Sequence, residues 1–174
     1  MRARAASAAA TAERVIAAAR NRFGRQPYDE ITLEMLAADA GVTVQTVLRR
    51  FGSKEGLVRA VWTAAQPEVA AQRDAAPSGD LPGTVANLAE HYEHFGDEVL
   101  QLLRQELRVP VFAEVTAVGR AFHAAWVDRV FARWLVGRGG GDRTRLHAQL
   151  VTVCDPHEFW WRNVDAIFKR YGRP

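Results

Sequence analysis

Cysteine is nearly absent from this chain of 174 residues, because Cys154 is its single thiol. A lone cysteine excludes an internal disulfide and indicates a reducing compartment. No apolar run reaches the roughly 20 residues that a membrane-spanning helix needs. The first residues, MRARAASAAAT, are basic and small as in a signal peptide, but Ser7, Thr11 and Glu13 interrupt the apolar stretch. We therefore expect a cytoplasmic protein without a membrane partner, whose first residues form a disordered arm.

The residues that catalysis requires are also scarce. The three serines, Ser7, Ser53 and Ser78, fall in the arm, at a helix cap and in a loop, and none lies in a nucleophile turn. The sequence shows no alternation of apolar and polar residues that would indicate a strand. It therefore has no place for a glycine-rich phosphate loop that follows a strand. The segment GRGGG, residues 137–141, lacks the spacing of a nucleotide motif. We therefore predict that the chain is not an enzyme and has no cofactor.

Potential metal ligands are better explained by helix structure. His91 and His94 fall on the polar side of their predicted helix, where we expect them to be solvated. Asp155, His157 and Glu158 fit the start of a helix, with an acid as cap, proline at the first position and glutamate at the third. We therefore predict no metal site.

Positive charge is concentrated at the front of the chain. Residues 1–64 hold 10 Lys and Arg against 6 Asp and Glu, whereas residues 65–174 hold 13 against 14. The net charge of +3 therefore arises from the first third. Such an excess on one part of a chain is typical of nucleic-acid binding.

Residues 31–57, ITLEMLAADAGVTVQTVLRRFGSKEGL, predict two short helices joined by a tight turn. Thr32 and Thr43 each precede a helix, where a hydroxyl can accept from free backbone N–H groups. Gly41 separates the helices, at a position that favours a left-handed backbone. Both helices have apolar residues at i, i+3, i+4 and i+7, namely Leu33, Leu36, Ala37 and Ala40, then Val44, Val47, Leu48 and Phe51. This is a helix-turn-helix pattern.

The second helix has one apolar side and one polar side. With about 100° per residue, Gln45 and Arg49 lie nearly opposite Val47 and one turn apart. Glutamine can bond an adenine edge and arginine a guanine edge, while hydroxyls and further cations suit phosphate oxygens. A hairpin with a merely solvated basic face is the structural alternative. The predicted DNA-binding residues are Thr32, Thr43, Val44, Gln45, Thr46, Arg49, Arg50 and Lys54.

Residues 12–62 resemble the DNA-binding domain of the TetR (tetracycline repressor) family of bacterial transcription regulators. The features that carry the resemblance are an apolar helix ending in Phe23, a linker ending in Tyr28, then Ile31-Thr32, Leu36-Ala37, Ala40-Gly41-Val42, Thr46, Phe51 and Ser53-Lys54-Glu55-x-Leu57. The chain departs from the family at Leu48, where an aromatic residue that touches phosphate is usual. Arg49 and Arg50 are then expected to provide more of the backbone anchoring.

Helical periodicity continues through the remainder of the chain, which predicts an all-α fold of about nine helices. Residues 1–64 are predicted to form the arm and the DNA-binding domain, with the motif at about 32–51 and a fourth helix from residue 54 onward. Residues 65–174 are predicted to form an effector-binding and dimerisation domain. The Gln66-Pro67 step is expected to bend or end the fourth helix. The other predicted helices span about 11–24, 84–108, 111–118, 120–136, 142–154 and 156–171.

A homodimer is expected, because strong specificity on a near-palindromic operator needs two recognition helices about 34 Å apart, one from each subunit. In the family, the last two long helices of each subunit pack into a four-helix bundle. Intramolecular core packing is the alternative role for their apolar residues. The predicted interface residues are Leu146, Leu150, Trp160, Trp161, Val164, Phe168 and Tyr171.

The family resemblance also implies a small-molecule sensor that releases DNA when an effector enters the middle helices, which makes repression the usual outcome. The lining suggests an apolar or aromatic effector, although aromatic stripes can also be core. The predicted pocket residues are Tyr92, Phe95, Phe122, Trp126 and Trp134. The alternative function is a helical protein-interaction module whose degenerate helix-turn-helix no longer reads DNA, and Leu48 favours it. The regulator would act in the bacterial cytoplasm, on the nucleoid when DNA-bound.

Overall fold

The computed structural model describes residues 2–156, which form eight α-helices, one short 3-10 helix and no strand. This confirms the predicted all-α class for the described part of the chain. The 3-10 helix, Tyr28–Glu30, lies between the first two α-helices. In chain order, the α-helices are α1 (Arg2–Phe23), α2 (Leu33–Asp39), α3 (Val44–Phe51), α4 (Lys54–Asp74), α5 (Leu81–Leu103), α6 (Pro110–Val130), α7 (Ala132–Leu135) and α8 (Gly140–Val153).

The first helix is longer than its sequence pattern suggested. α1 begins at Arg2 instead of near residue 11, so the prediction of a disordered arm is wrong. Alanine has the highest helix propensity and fills most of these early positions, which extends the helix. Val15, Ala19 and Phe23, spaced four residues apart, are buried and form the apolar side of α1.

Two predicted helix breaks do not occur. α4 continues past Pro67 to Asp74, and α6 runs unbroken through Gly119. Packing holds α4 on both sides of the proline, since Leu57 is buried before it and the Arg73 carbonyl accepts from Trp126 after it. A glycine inside a helix costs only about 1 kcal/mol relative to alanine, which α6 tolerates.

α5 ends at Leu103, five residues before its predicted end, and Leu107, inside the predicted span, is 96% exposed. The cause is a long-range contact, because the Tyr28 amide donates to Gln105 Oε1 at 2.8 Å. A turned backbone at Gln105 makes this bond and brings Val109 into the core. Val85, near the start of α5, is also exposed.

The chain divides into two compact units. Unit 1 comprises Met1–Glu68 and Asp97–Thr116, and unit 2 comprises Val69–Gly96 and Ala117–Pro174, of which residues up to 156 are described. The core of unit 1 gathers buried residues from α1 to α4 and from the start of α6, and the core of unit 2 gathers residues from α5, α6 and α7. The predicted functional division at residues 64 and 65 stays a prediction.

The last helices differ from the predicted pattern at their ends. The predicted helix over 120–136 is interrupted at Phe131, and α8 begins at Gly140, two residues before its predicted start. The predicted helix over 156–171 lies outside the described residues, apart from its first residue.

Candidate nucleic-acid interface

The α2–α3 hairpin is built from two capped helices and a glycine turn. The Met35 amide donates to Thr32 Oγ1 at 3.3 Å, and the Thr46 amide donates to Thr43 Oγ1 at 3.2 Å. Gly41 has a φ of 64°, in the left-handed region that glycine adopts at low cost. Both predicted caps and the predicted turn are therefore confirmed.

α3 has one buried side and one exposed side. Val47 is completely buried, and Val44 and Phe51 are half-buried against the core of unit 1. Gln45 and Arg49 project from the other side and are exposed. The hairpin therefore presents an amide and a guanidinium outward from a fixed helix, as base reading requires.

The hairpin is fastened to α1 by polar contacts. Arg22 forms an ion pair with Asp39 at the end of α2, in which Nη2 donates to Oδ1 at 3.0 Å and Nε donates to Oδ2. Hydrogen bonding by Arg22 holds the pKa of the Asp39 carboxyl below its ordinary value. Arg14 Nε also donates to the Ala40 carbonyl at 3.4 Å. These contacts fix the α2 end from which the turn to α3 departs.

Lys54 has structural partners that the sequence analysis did not predict. Its Nζ donates to the carbonyls of Tyr28 and Ile31, both at 2.9 Å, and lies 3.7 Å from the centre of the Tyr28 ring. The Tyr28 hydroxyl donates to Glu55 Oε1 at 2.8 Å. The Tyr28-Lys54-Glu55 group therefore links the start of α4 to the segment before α2.

The titration of this group follows from its contacts. Burial, then the bond to Glu55, raises the pKa of Tyr28 above its ordinary value. Bonds from Ser53, from the backbone amide of Glu55 itself and from Tyr28 lower the pKa of Glu55. Glu55 therefore stays ionised and Tyr28 stays protonated near neutral pH. The signal was present in the sequence, since Tyr28 and Ser53-Lys54-Glu55 belong to the family motif, but only the fold shows that they meet.

All the predicted DNA-binding residues lie within one segment of unit 1, residues 32–54. Those that are exposed are Thr32, Thr43, Gln45, Arg49 and Arg50, and those that are half-buried are Val44, Thr46 and Lys54. The hydroxyls of Thr43 and Thr46 lie 3.0 Å apart. Leu48, at the usual aromatic position, is half-buried. The segment thus brings hydroxyl, amide and cationic groups together on one hairpin.

The predicted pocket residues belong to unit 2. Tyr92 and Trp126 are buried in its core cluster, and Trp134 is half-buried against the same cluster. Phe95 is buried with its ring 5.0 Å from that of His91, and Phe122 is half-buried. The structure therefore brings three of the five aromatic residues into one cluster.

His91 corrects one sequence prediction. It is buried, not solvated, and its Nδ1 lies 2.9 Å from Gln72 Oε1 on α4. Burial, then the charge of Arg73, lowers the pKa of His91 to about 3, so the ring is neutral. The helical periodicity places His91 on the polar side of α5, but there it meets Gln72 of α4, an element that the sequence alone does not locate. His94 is exposed, as predicted.

The predicted interface residues are only partly described. Leu146 and Leu150 are half-buried and pack against the core cluster of unit 2 within the same chain. The others, Trp160, Trp161, Val164, Phe168 and Tyr171, lie outside the described residues. Within residues 2–156, no helix combines the length and the apolar character needed to cross a bilayer. The same residues contain no group of three potential metal ligands.

A hairpin of capped helices that exposes an amide and two guanidinium groups from its second helix is a helix-turn-helix, an arrangement used by many DNA-binding proteins. Residues 15–61 match the family described as "Bacterial regulatory proteins, tetR family". This match confirms the resemblance seen in the sequence for the front of the chain, and it supports a DNA-binding transcriptional regulator. A comparison with curated proteins found no match.

Proposed function

We propose that the chain is a repressor that binds a near-palindromic operator as a homodimer and is released by a small effector. The observation that carries this proposal is the exposed side of α3, where Gln45 and Arg49 project opposite the buried Val47. A merely solvated face, the structural alternative, would expose the same side chains but would give no selective, salt-dependent DNA binding. Residues 1–64 would read the operator, and residues 65–174 would bind the effector and form the dimer.

Base reading is assigned to Gln45 and Arg49, and phosphate contact to the residues around them. Thr32, Thr43 and Arg50 are exposed at the ends of the two helices, where they can reach the sugar-phosphate backbone. An ammonium has three N–H donors, of which Lys54 uses two on carbonyls. Its proposed phosphate contact would use the third, with the ammonium held in place by the Tyr28 ring.

The dimer follows from the small size of one reader. A single short helix contacts few base pairs, and two helices spaced by one turn of DNA multiply the specificity. α8 supports this role because none of its side chains is buried within its own chain. Leu146 and Leu150 are half-buried and keep surface for a partner. We place the dimer in the bacterial cytoplasm, on the nucleoid.

Effector release is assigned to the aromatic cluster of unit 2. Tyr92, Trp126 and Trp134 supply a large apolar surface, as small-molecule sites do. α4 contributes residues to both units, since Leu57 lies in the core of unit 1 and Arg73 contacts Trp126 in unit 2. A ligand that displaces the end of α4 would therefore act on the helix whose first part belongs to unit 1.

The test is a fluorescence-anisotropy titration of the full chain with DNA from beside its own gene, at about 50 and 200 mM salt. A regulator is expected to bind selectively and to lose affinity steeply with salt, because bound phosphates release counterions. The double variant Arg49→Ala/Arg50→Ala is the matched control, since both side chains are exposed and the core is unchanged. If that variant binds as the parent does, α3 is not the reader.

If neighbouring DNA gives only weak, unselective binding, selection from a random DNA pool follows. A selected consensus supports the regulator and identifies the operator. No enrichment, together with no salt dependence, contradicts DNA reading and favours an interaction module in which Leu48 marks a lost reader.

A further inference from the structure

Arg73, near the end of α4, is a buried cation. It is only 3% exposed, and its guanidinium carbon lies 4.2 Å from the centre of the Trp126 ring and 5.6 Å from that of Tyr92. Its Nη2 donates to His123 Nδ1 at 2.8 Å. Two aromatic rings and one imidazole therefore surround the charge.

No described residue accepts a hydrogen bond from Arg73 Nε or Nη1, although both atoms are shielded from solvent. Together these atoms carry three of the five N–H donors of the side chain. Buried charges in proteins are normally paired, because removing an ion from water without a partner is costly. This arginine thus keeps most of its donors for an acceptor that the described chain does not supply.

The groups next to Arg73 are neutral. His123 Nε2 donates to the Val151 carbonyl at 3.1 Å. The Nδ1 atom of His123 therefore carries the lone pair that accepts from Arg73. Burial, then the charge of Arg73, lowers the pKa of His123. Burial raises the pKa of the Cys154 thiol to about 11 and keeps the Tyr92 hydroxyl protonated. The Tyr92 hydroxyl donates to the Cys154 carbonyl at 2.6 Å, so it too is occupied as a donor.

Asp74 and Arg129, two charged residues in the described part of unit 2, do not neutralise the Arg73 guanidinium. Asp74 lies next to it in sequence but is exposed and pairs with Arg129 at 3.3 Å. Arg129 itself donates to the Arg73 carbonyl, which adds a second positive charge to this region. Asp155 is half-buried, and its charge acts on Tyr92 and His123. The groups described in contact with the guanidinium are therefore neutral, and its unpaired Nε and Nη1 atoms favour an anionic acceptor.

We propose that unit 2 binds a small organic carboxylate, whose carboxylate group pairs with Arg73 and whose aromatic or apolar body lies against Trp126 and Tyr92. A carboxylate is an acceptor with two oxygens, and its pairing with a guanidinium is among the stronger hydrogen-bonded contacts. The inference rests on the proposed effector function and narrows it. The sequence suggested an apolar or aromatic effector. Pairing with Arg73 adds the requirement that this effector carries a negative charge.

α8 provides the route of entry. None of its side chains is buried, and its end meets the site through the Val151 and Cys154 carbonyls, which accept from His123 and Tyr92. Elements with few buried contacts open at low cost, which suits a site that must admit a ligand.

The test measures binding of matched acids and amides to the full chain by isothermal titration calorimetry. Suitable pairs are benzoate with benzamide, phenylacetate with phenylacetamide, and octanoate with octanamide. The parent chain is expected to prefer at least one acid over its amide by about tenfold or more, because only the acid pairs with the buried charge. Arg73→Met is expected to remove this preference.

Two further variants keep the result interpretable. Arg133→Met is the matched control, since Arg133 also lies over a tryptophan, 4.9 Å from the Trp134 ring centre, but is exposed. It is expected to keep the preference. Arg73→Lys retains the charge without the planar donors and is expected to reduce the preference without reversing it, so the test does not depend on the folding of Arg73→Met alone.

The outcomes separate this proposal from the regulator function. An acid preference that Arg73→Met abolishes supports the site, even if the acid leaves operator affinity unchanged, in which case only effector release is contradicted. No acid binding, or an acid preference that survives Arg73→Met, overturns the proposed site. Operator binding that stays intact in that case leaves DNA reading in place.

The variant Asp155→Asn tests whether Asp155 already pairs with Arg73. If it binds the acid more tightly than the parent does, because a repelling charge is gone, Arg73 remains the binding group. An Asp155→Asn variant that acquires the acid preference when the parent has none shows that Asp155 is the partner of Arg73, and overturns the proposal.

Discussion

At the residue scale, Gln45 and Arg49 on α3 are expected to read bases. Gln45→Ala and Arg49→Ala should each cost about 1–3 kcal/mol of operator affinity and relax the preference at one base position, because each removes a bidentate edge contact. The measurement is a competition titration of each variant against all single-base substitutions of the operator. Arg50→Ala is the control, and it should weaken every sequence by the same factor. An equal loss on every sequence for Gln45→Ala would sink its reading role.

Lys54 is expected to act on stability as well as on DNA. Lys54→Met keeps the alkyl chain but loses the bonds to the Tyr28 and Ile31 carbonyls and the contact with the Tyr28 ring. The unfolding free energy should fall by about 1–3 kcal/mol, as for bonds to a charged donor. DNA affinity should fall by a similar factor on all sequences, with a shallower salt dependence.

Urea denaturation followed by circular dichroism measures the stability change, and anisotropy measures the affinity change. Arg50→Met is the control, because it removes an exposed cation of α3. It should reduce DNA affinity without reducing the free energy of unfolding. Unchanged stability of Lys54→Met would show that the carbonyl contacts contribute little.

His91 is expected to make stability depend on pH. Burial lowers its pKa from 6.5 to about 3 in the folded chain, so between these values the unfolded chain binds a proton that the folded chain does not. The contribution of His91 to the free energy of unfolding is therefore fully present above about pH 6.5. It falls with acidification, with a slope of up to about 1.4 kcal/mol per pH unit. His123 has a lowered pKa and adds a slope of the same sign.

The variant His91→Gln should reduce this slope, since glutamine can still donate to Gln72 but does not titrate. Urea denaturation at about pH 7 and pH 5 gives the two unfolding free energies. His94→Gln is the matched control, because His94 lies one turn away on α5 and is exposed. A slope that His91→Gln leaves as it was would contradict the assignment of the lowered pKa to a buried ring.

At the element scale, α3 depends on its cap. Thr43→Ala removes the oxygen that accepts from the Thr46 amide, and the loss of such a cap costs about 0.5–2 kcal/mol. Thermal denaturation should show this loss, and operator affinity should fall because a frayed α3 presents its side chains less well. Thr43→Ser is the control that keeps the oxygen. If the serine variant is destabilised as strongly as the alanine variant, the cap is not the reason.

The elements that the sequence predicted well are those with local causes. α2 and α3 begin and end within a residue or two of their predicted bounds, since Thr32, Gly41 and Thr43 specify caps and a turn from adjacent positions. The exposed side of α3 follows from the same local periodicity. Hence the interpretation of the hairpin as a DNA reader needed no knowledge of the remaining chain.

The elements that it predicted poorly depend on distant contacts. α5 ends early because Gln105 binds the Tyr28 amide, 77 residues away in sequence. His91 is buried because it faces Gln72 of α4. No pattern near either residue records its partner. The same reason hides Arg73, which reads as an ordinary surface arginine until Trp126 and His123 are placed around it.

At the scale of the whole molecule, affinity for DNA is expected to depend on two copies of α3. One copy exposes only a few reading side chains, so specificity requires a dimer whose helices enter successive major grooves about 34 Å apart. Inserting about five base pairs between the operator half-sites turns one half-site to the opposite side of the duplex. Both helices can then no longer engage at once, and affinity should fall by roughly tenfold or more.

The measurement compares the parent operator, the operator with the insertion and a single half-site in anisotropy titrations at one salt concentration. The insertion and the single half-site should give similar, weak affinities, because in both only one reader binds. Sedimentation of the complex gives the number of chains bound and serves as the independent control. Equal affinity for the parent and inserted operators would show that the protein reads DNA with one copy of α3. The base contacts of that single helix would then have to supply the specificity that is assigned here to the two helices of a dimer.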